Sequence, residues 1–195
     1  MSYSLDPLND SCYENTNVLI NKFNIRNNEK LSIFEKNITS VSIAKALIEI
    51  PFKDVDFNFY KYLHHYVFSD IYEWAGNIRT VNMSKKGTNF CPVEEINAKA
   101  ERIFNRLNNN KYLSIYSGNE FIDEFTELYC DLNILHPFRE GNGRIQRLFL
   151  TMLLKSLGKT LDFSHIDKDI LMLATIKSIS GDIFLLHDIF SENIK

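Results

Sequence analysis

Apolar residues recur at intervals of three and four along most of the chain, as in Leu63, Val67, Phe68 and Ile71, and again in Ala100, Ile103, Phe104 and Leu107. That spacing follows the 3.6-residue turn of a helix buried along one stripe. A longer stripe, Phe121, Phe125, Leu128, Leu132 and Leu135, leads directly into His136. Between Gly76 and Pro92 the pattern changes to two glycine stops, a short alternating segment and a Lys85-Lys86-Gly87-Thr88 turn. This predicts a β-hairpin between helices. Pro51 and Asn58 bracket a break after an N-terminal helical region, and Asn108 to Asn110 and Ser117-Gly118-Asn119 punctuate the middle. The pattern predicts an all-α fold carrying one small hairpin.

Composition narrows the function classes. A chain of 195 residues is long enough for a sizeable core and short enough that one domain is the default. A net charge of -3 argues against bulk binding to nucleic acid, which needs a basic surface, so any phosphate chemistry has to be local. Cys12, Cys91 and Cys130 form neither an even disulfide set nor a CxxC pair, which suits a reducing compartment without structural zinc. No basic-then-apolar leader and no apolar run of membrane-spanning length occurs, so a soluble, cytoplasmic protein is expected.

The candidate chemistry lies in "HPFREGNGRIQRLF", His136 to Phe149. Pro137 disfavours helix at His136, and Ile145, Leu148, Phe149, Met152 and Leu153 resume helical spacing, so a loop should open onto a helix starting near Gly143. Gly141 and Gly143 let the backbone approach a ligand, and the free N–H groups of the first helical turn favour an anion. Asn142 adds a neutral donor, and Arg144 and Arg147, three apart, suit bidentate contact with phosphoryl oxygens. Glu140 among these donors calls for a cation, and a magnesium ion carried by a nucleotide meets that need. His136 is then the group able to gain or lose a proton near neutral pH.

Each residue also has an ordinary reading: a histidine before proline ends a helix, paired arginines form a solvated face, and "GNG" makes a turn. The combination is what argues for a site. Two other phosphate motifs are excluded, because GxxxxGK[ST] is absent and Gln146 stands where a dinucleotide fold wants its third glycine.

"HPFREGNGRIQR" resembles the signature HxFx[DE]GNGRxxR of the Fic family of nucleotidyl transferases, with every specified position filled. Upstream, "HHYVFSDIYEWAGNIRTVNMSKKGTNF" is similar to the segment that leads into that family's β-hairpin flap, so the likeness runs from about Asp54 to Leu186. The resemblance implies a Fic-type helical domain, with residues 51–186 as core, 1–50 as an N-terminal helical region and 187–195 as a tail. It further implies ATP as donor, Mg2+ as cofactor, and transfer of AMP to a hydroxyl of an unknown target protein, with self-modification and homo-oligomer formation in view. A non-catalytic nucleotide-binding regulator, removal of AMP, or use of another nucleotide stay open as alternatives.

Carried over residue by residue, His136 resembles the base that deprotonates the target hydroxyl, and Phe138 the residue anchoring the loop in the core. Glu140 matches the magnesium ligand, Asn142 and Gly143 the anion-hole donors, Arg144 a phosphate clamp, and Arg147 the arginine that meets the γ-phosphate. Gly143 stands where related kinases carry lysine, which favours AMP transfer. The docking edge of the flap falls on Thr80, Val81, Asn82, Met83 and Ser84; a covered edge would make it an ordinary surface hairpin. The family's inhibitory pattern [ST]xxxE[GN], whose glutamate pairs with the second arginine, is matched imperfectly. Leu31 precedes Glu35 and Lys36 follows it, while Asp188 stands four before Glu192. Glu35 is the preferred inhibitory candidate over Glu192. His64, His65, His165 and His187 are assigned to packing or surface.

Overall fold

The fold follows from a computed structural model that describes residues 4–5, 11–85 and 88–195. Among the described residues seven α-helices run α1 Asn28–Glu49, α2 Phe57–Phe68, α3 Ile96–Asn109, α4 Gly118–Leu135, α5 Asn142–Ser156, α6 Lys168–Ser178 and α7 Phe184–Asn193. Among the same residues three short strands form one antiparallel sheet in the order β1 Ser4–Leu5, β2 Met83–Lys85 and β3 Thr88–Asn89. Lys86 and Gly87 of the expected turn lie outside the described residues.

Several helix starts are set by short polar side chains. Asn27 Oδ1 accepts from Lys30 N at 2.9 Å before α1, and Asp56 Oδ1 from Phe59 N at 2.7 Å before α2. Each occupies an N–H that the first turn would otherwise leave without a partner. α5 buries Ile145, Leu148, Phe149, Leu150, Met152, Leu153 and Leu154 on a broad apolar face, with Arg144, Arg147, Thr151 and Lys155 on the remaining side, which makes it a core helix. Phe149 packs edge-on to Tyr60 of α2 and Phe104 of α3, ring centroids 5.4 and 5.7 Å away. α4 lies beside α5 and presents Phe121, Phe125, Leu128, Leu132 and Leu135 inward, as its stripe predicts.

The two ends are built as follows. Among the described residues of the N-terminal region 1–50, residues 11–27 form an irregular segment, closed by a Cys12–Leu19 bridge, and α1 begins at Asn28. Asn21 holds that segment together, its amide donating to the Leu19 and Ile25 carbonyls while its Oδ1 accepts from Phe23 and Ile25 N–H. Residues 187–193, expected as tail, belong to α7, which buries Leu186, Ile189 and Phe190 against α4, with Phe125 and Phe190 rings 5.1 Å apart. Among the described residues no helix is long and apolar enough to cross a membrane.

Candidate active site

α4 ends at Leu135, and the chain turns through His136 in the left-handed region, φ 40° and ψ 57°. This is uncommon for a residue with a Cβ and marks a backbone held by its surroundings. The loop is pinned in the core by Phe138, fully buried, whose ring lies 3.9 Å from His64 and 5.7 Å from Tyr60. Gly141 has φ 82°, and a Cβ there would sit 2.3 Å from the Phe68 ring, so glycine is required twice over. Gly141 O accepts from Arg144 N and Ile145 N, which starts α5 at Asn142. The N–H groups of Asn142 and Gly143 are left at the helix N-terminus, the arrangement that favours an anion.

His136 is 7% exposed. Its Nδ1 lies 3.2 Å from Asn133 O, and since a carbonyl only accepts, Nδ1 carries the proton and Nε2 the lone pair. Burial pushes its pKa down to about 3, with the positive charges of Arg79 and Lys85 acting the same way and the Asn133 hydrogen bond opposing. The imidazole is therefore neutral at neutral pH. Phe90, which follows β3, stacks on it at 3.7 Å and 9° between planes.

A cavity of about 590 Å³ opens beside this histidine, lined by His136, Gly143 and Arg147 from the motif and by Lys85 and Phe90 from the hairpin. Its far wall is largely apolar and includes Phe163, Ile166, Leu171 and Ile176. The motif's two arginines part company here. Arg147 faces the cavity. Arg144 turns toward α1, where its Nη2 meets Glu35 Oε1 at 2.5 Å and its Nη1 donates to Thr39 Oγ1 at 3.2 Å, with the guanidinium 4.7 Å over the Phe68 ring.

The structure places Glu35, Glu192 and Asn142 as follows. Glu35 meets Arg144 and not Arg147, because its place on α1 faces the start of α5 from the side away from the cavity; Tyr72 OH donates to its other oxygen. Glu192 is exposed near the end of α7, in no ion pair among the described residues. The Asn142 side chain is engaged within the loop: its Oδ1 accepts from Phe138 N at 2.9 Å and its Nδ2 donates to Phe138 O at 2.7 Å. It braces the loop, and its main-chain N–H lies at the helix start.

The hairpin forms, but its outer edge is not open. β1 pairs with β2 in antiparallel register, Ser4 opposite Ser84 and Leu5 opposite Met83, so the chain's own N-terminal strand covers the edge at two of the five expected docking positions. Unpaired edge N–H and C=O groups attract any extended segment, and here the nearest is internal. Of the other three, Thr80 and Asn82 are exposed and Val81 is partly so; Asn82 Oδ1 accepts from Val93 N.

Sequence reading missed two residues. His64 is fully buried: Gly76 N donates to its Nδ1 at 2.8 Å, so its Nε2–H donates to Glu140 O at 3.0 Å. Burial, foremost, pushes its pKa down to about 3. Arg79, 3% exposed, donates to the carbonyls of His136, Val81 and Cys91. Neither position carries a local signal, because both act on backbone atoms brought near only by folding.

Glu140 is the one motif acid, its Oε1 accepting from Gly141 N at 2.8 Å and lying 3.5 Å from Arg144 Nη2. Among the described residues no group of three His, Cys, Asp or Glu side chains could hold a metal ion. A single carboxylate suits only a cation that keeps its water and takes phosphate oxygens for most of its ligands, as Mg2+ does.

The Fic/DOC family model matches residues 54–154. The chain is 38% identical over 179 residues to "Probable protein adenylyltransferase y4lH" of Sinorhizobium fredii, covering 91% of this chain and 90% of that one. It is 30% identical to "Protein adenylyltransferase VbhT" of Bartonella schoenbuchensis over 98% of this chain and 39% of that longer protein. The fold superposes with a TM-score of 0.89 and 27% identity on the crystal structure of BepC, a VirB-translocated effector of Bartonella tribocorum with bound AMPPNP, covering 95% of this chain and 96% of that one. With the complete motif placed at one helix N-terminus and the hairpin folded over it, this chain belongs to the Fic/DOC family.

Proposed function

We infer that this chain is a protein adenylyltransferase that moves AMP from ATP to a hydroxyl of a target protein. The observation that carries the reading is His136: a buried imidazole held neutral, its lone pair fixed on Nε2 by the Asn133 hydrogen bond, in the same cavity as Gly143 and Arg147. A site for binding alone has no need of a base prepared in this way. The names of the relatives and the AMPPNP bound to BepC support the donor and the reaction class.

In this reading the ATP triphosphate lies at the N-terminus of α5, on the main-chain N–H groups of Asn142 and Gly143, with Arg147 on the phosphates beyond the α-position. His136 Nε2 takes the proton of the incoming hydroxyl as its oxygen bonds to the α-phosphorus. The bond from that phosphorus to the bridging oxygen breaks, and pyrophosphate leaves in line. Glu140 would hold Mg2+, which supplies charge neutralisation on the leaving phosphates when bound. Arg144, fixed by Glu35 and Thr39, keeps the start of α5 against α1 and lies within 3.5 Å of Glu140. A target segment that pairs with β2 at Met83 and Ser84 has first to displace β1.

Incubation with ATP and Mg2+ followed by intact-mass analysis tests the reading. The expected product is one adenylyl group added to the protein or to a co-incubated target, with an equal amount of pyrophosphate released. His136→Ala should lower that rate roughly a hundred- to ten-thousand-fold while ATP still binds. Transfer at the wild-type rate by His136→Ala would remove the histidine from the chemistry.

A further inference from the structure

The residue that ties the hairpin to the catalytic loop is Arg79. Its Nε donates to His136 O at 2.8 Å, its Nη1 to Val81 O at 2.8 Å and its Nη2 to Cys91 O, while its own main-chain N–H donates to Pro137 O at 2.9 Å. Val81 precedes β2 and Cys91 follows β3, so one guanidinium grips both ends of the hairpin and the carbonyl of the histidine that faces it. Cys91 N closes the frame by donating to Ile134 O at 2.9 Å, in the last turn of α4.

This arrangement is costly to build. Arg79 is 3% exposed, and among the described residues no carboxylate pairs with it. A buried cation compensated only by carbonyl dipoles is tolerated where the geometry is fixed by other needs. Two features supply that need. His136 has a left-handed backbone, which persists only when its surroundings determine it, and Arg79 holds the carbonyl on that residue. Phe90, one residue before the gripped Cys91, stacks flat on the imidazole, so the position of the hairpin sets the plane of the ring.

We propose that Arg79 is a positioning residue that locks the hairpin to the His136 backbone, so that the imidazole and the hydroxyl brought by a docked target share one frame. This rests on the assignment of His136 as the base. Losing the lock leaves the α5 N-terminus and Arg147 untouched, so nucleotide binding is preserved. What is lost is the alignment of base and acceptor, and an ångström of misplacement costs about a hundredfold in rate.

The test compares wild type with Arg79→Lys and Arg79→Gln, each able to reach one carbonyl but unable to bridge three. The first readout is independent of catalysis. In wild type the stacked Phe90 ring should shift the His136 ring protons in the NMR spectrum, and both variants should move these signals toward their unstacked values. The second readout is kinetic: kcat for adenylyl transfer should fall about ten- to a hundredfold, with the KM for ATP within twofold of wild type. A folded Arg79→Lys with unchanged His136 signals, or with kcat and KM altered in equal proportion, overturns the proposal. Loss of the fold in both variants overturns it too, since Arg79 would then be a core prop. Absence of transfer by wild type would sink the proposed activity and leave the NMR comparison to judge Arg79 by itself.

Discussion

Glu35 Oε1 lies 2.5 Å from Arg144 Nη2, joining the middle of α1 to the first turn of α5, with side chains only 11% and 23% exposed. An acid placed to inhibit would compete for the guanidinium that faces the cavity, and that guanidinium belongs to Arg147. Glu35→Gln should therefore lower stability by about 2 kcal/mol, the scale of a hydrogen bond to a charged group, without raising the rate of transfer. Glu192→Gly should change stability by no more than about 0.5 kcal/mol. Urea unfolding and labelling rates on the two variants check both statements; activation by Glu35→Gln would restore the inhibitory role.

Arg147 and Arg144 should separate in the same way. Arg147→Ala should weaken ATP binding about ten- to a hundredfold, the loss of a charge-assisted phosphate contact, with little change in Tm. Arg144→Ala leaves Glu35 and Tyr72 buried without their cation, so it should lower Tm first. Titration of ATP by calorimetry alongside thermal melts distinguishes the two patterns.

Two buried histidines make stability depend on pH in a defined window. His64 and His136 have pKa values pushed down to about 3 from an ordinary 6.5. The unfolded chain takes up these protons first, so stability falls as pH falls below about 6.5, approaching about 1.4 kcal/mol per pH unit for each histidine, and is unaffected by them above it. His64→Gln should reduce that slope by one histidine's share between pH 6 and 5. Urea midpoints at the two pH values measure it.

The same shift shapes catalysis. With His136 neutral down to about pH 3, kcat/KM for transfer should show no acid limb from this group between pH 8 and 5. A fall with an apparent pKa near 6.5 would mean that the base is solvated when it acts.

Gly141→Ala meets a double obstacle, a φ of 82° and a Cβ 2.3 Å from the Phe68 ring. It should destabilise the chain by about 2 kcal/mol or more and displace Glu140 from its place before α5. A chemical denaturation curve and an assay of the Mg2+ dependence of transfer would register the two effects.

Ser4 and Leu5 occupy the edge that a target strand would use. Ser4 faces the Ser84 backbone, since Met83 O is turned to Phe90 N on the other side, so Ser4→Pro removes one ladder donor and should raise the rate of transfer to an external target while leaving ATP affinity unchanged. The gain is about twofold if β1 holds the edge half the time, and larger in proportion to its occupancy. An unchanged rate would mean that targets dock elsewhere.

The motif, its loop and the helix after it were legible in the chain because each signal is local. Pro137 stops one helix, Gly141 admits the φ that starts the next, and the apolar stripes of α4 and α5 recur at helical spacing. The phosphate cradle follows from the same short stretch, since the free N–H groups of a helix start are fixed by where that helix begins. Which way each side chain turns was decided elsewhere. Arg144 and Arg147 are three residues apart and look alike in sequence; only the packing of α1, which brings Glu35 and Thr39 to one of them, sends the first outward and leaves the second in the cavity. Asn142 reads as a donor until the loop closes and its amide meets the backbone of Phe138. His64, Arg79 and the β1 strand reach backbone atoms of Glu140, His136 and β2 that are distant in the chain, and hydrogen bonds to carbonyls and N–H groups leave no residue-type signature on the partner.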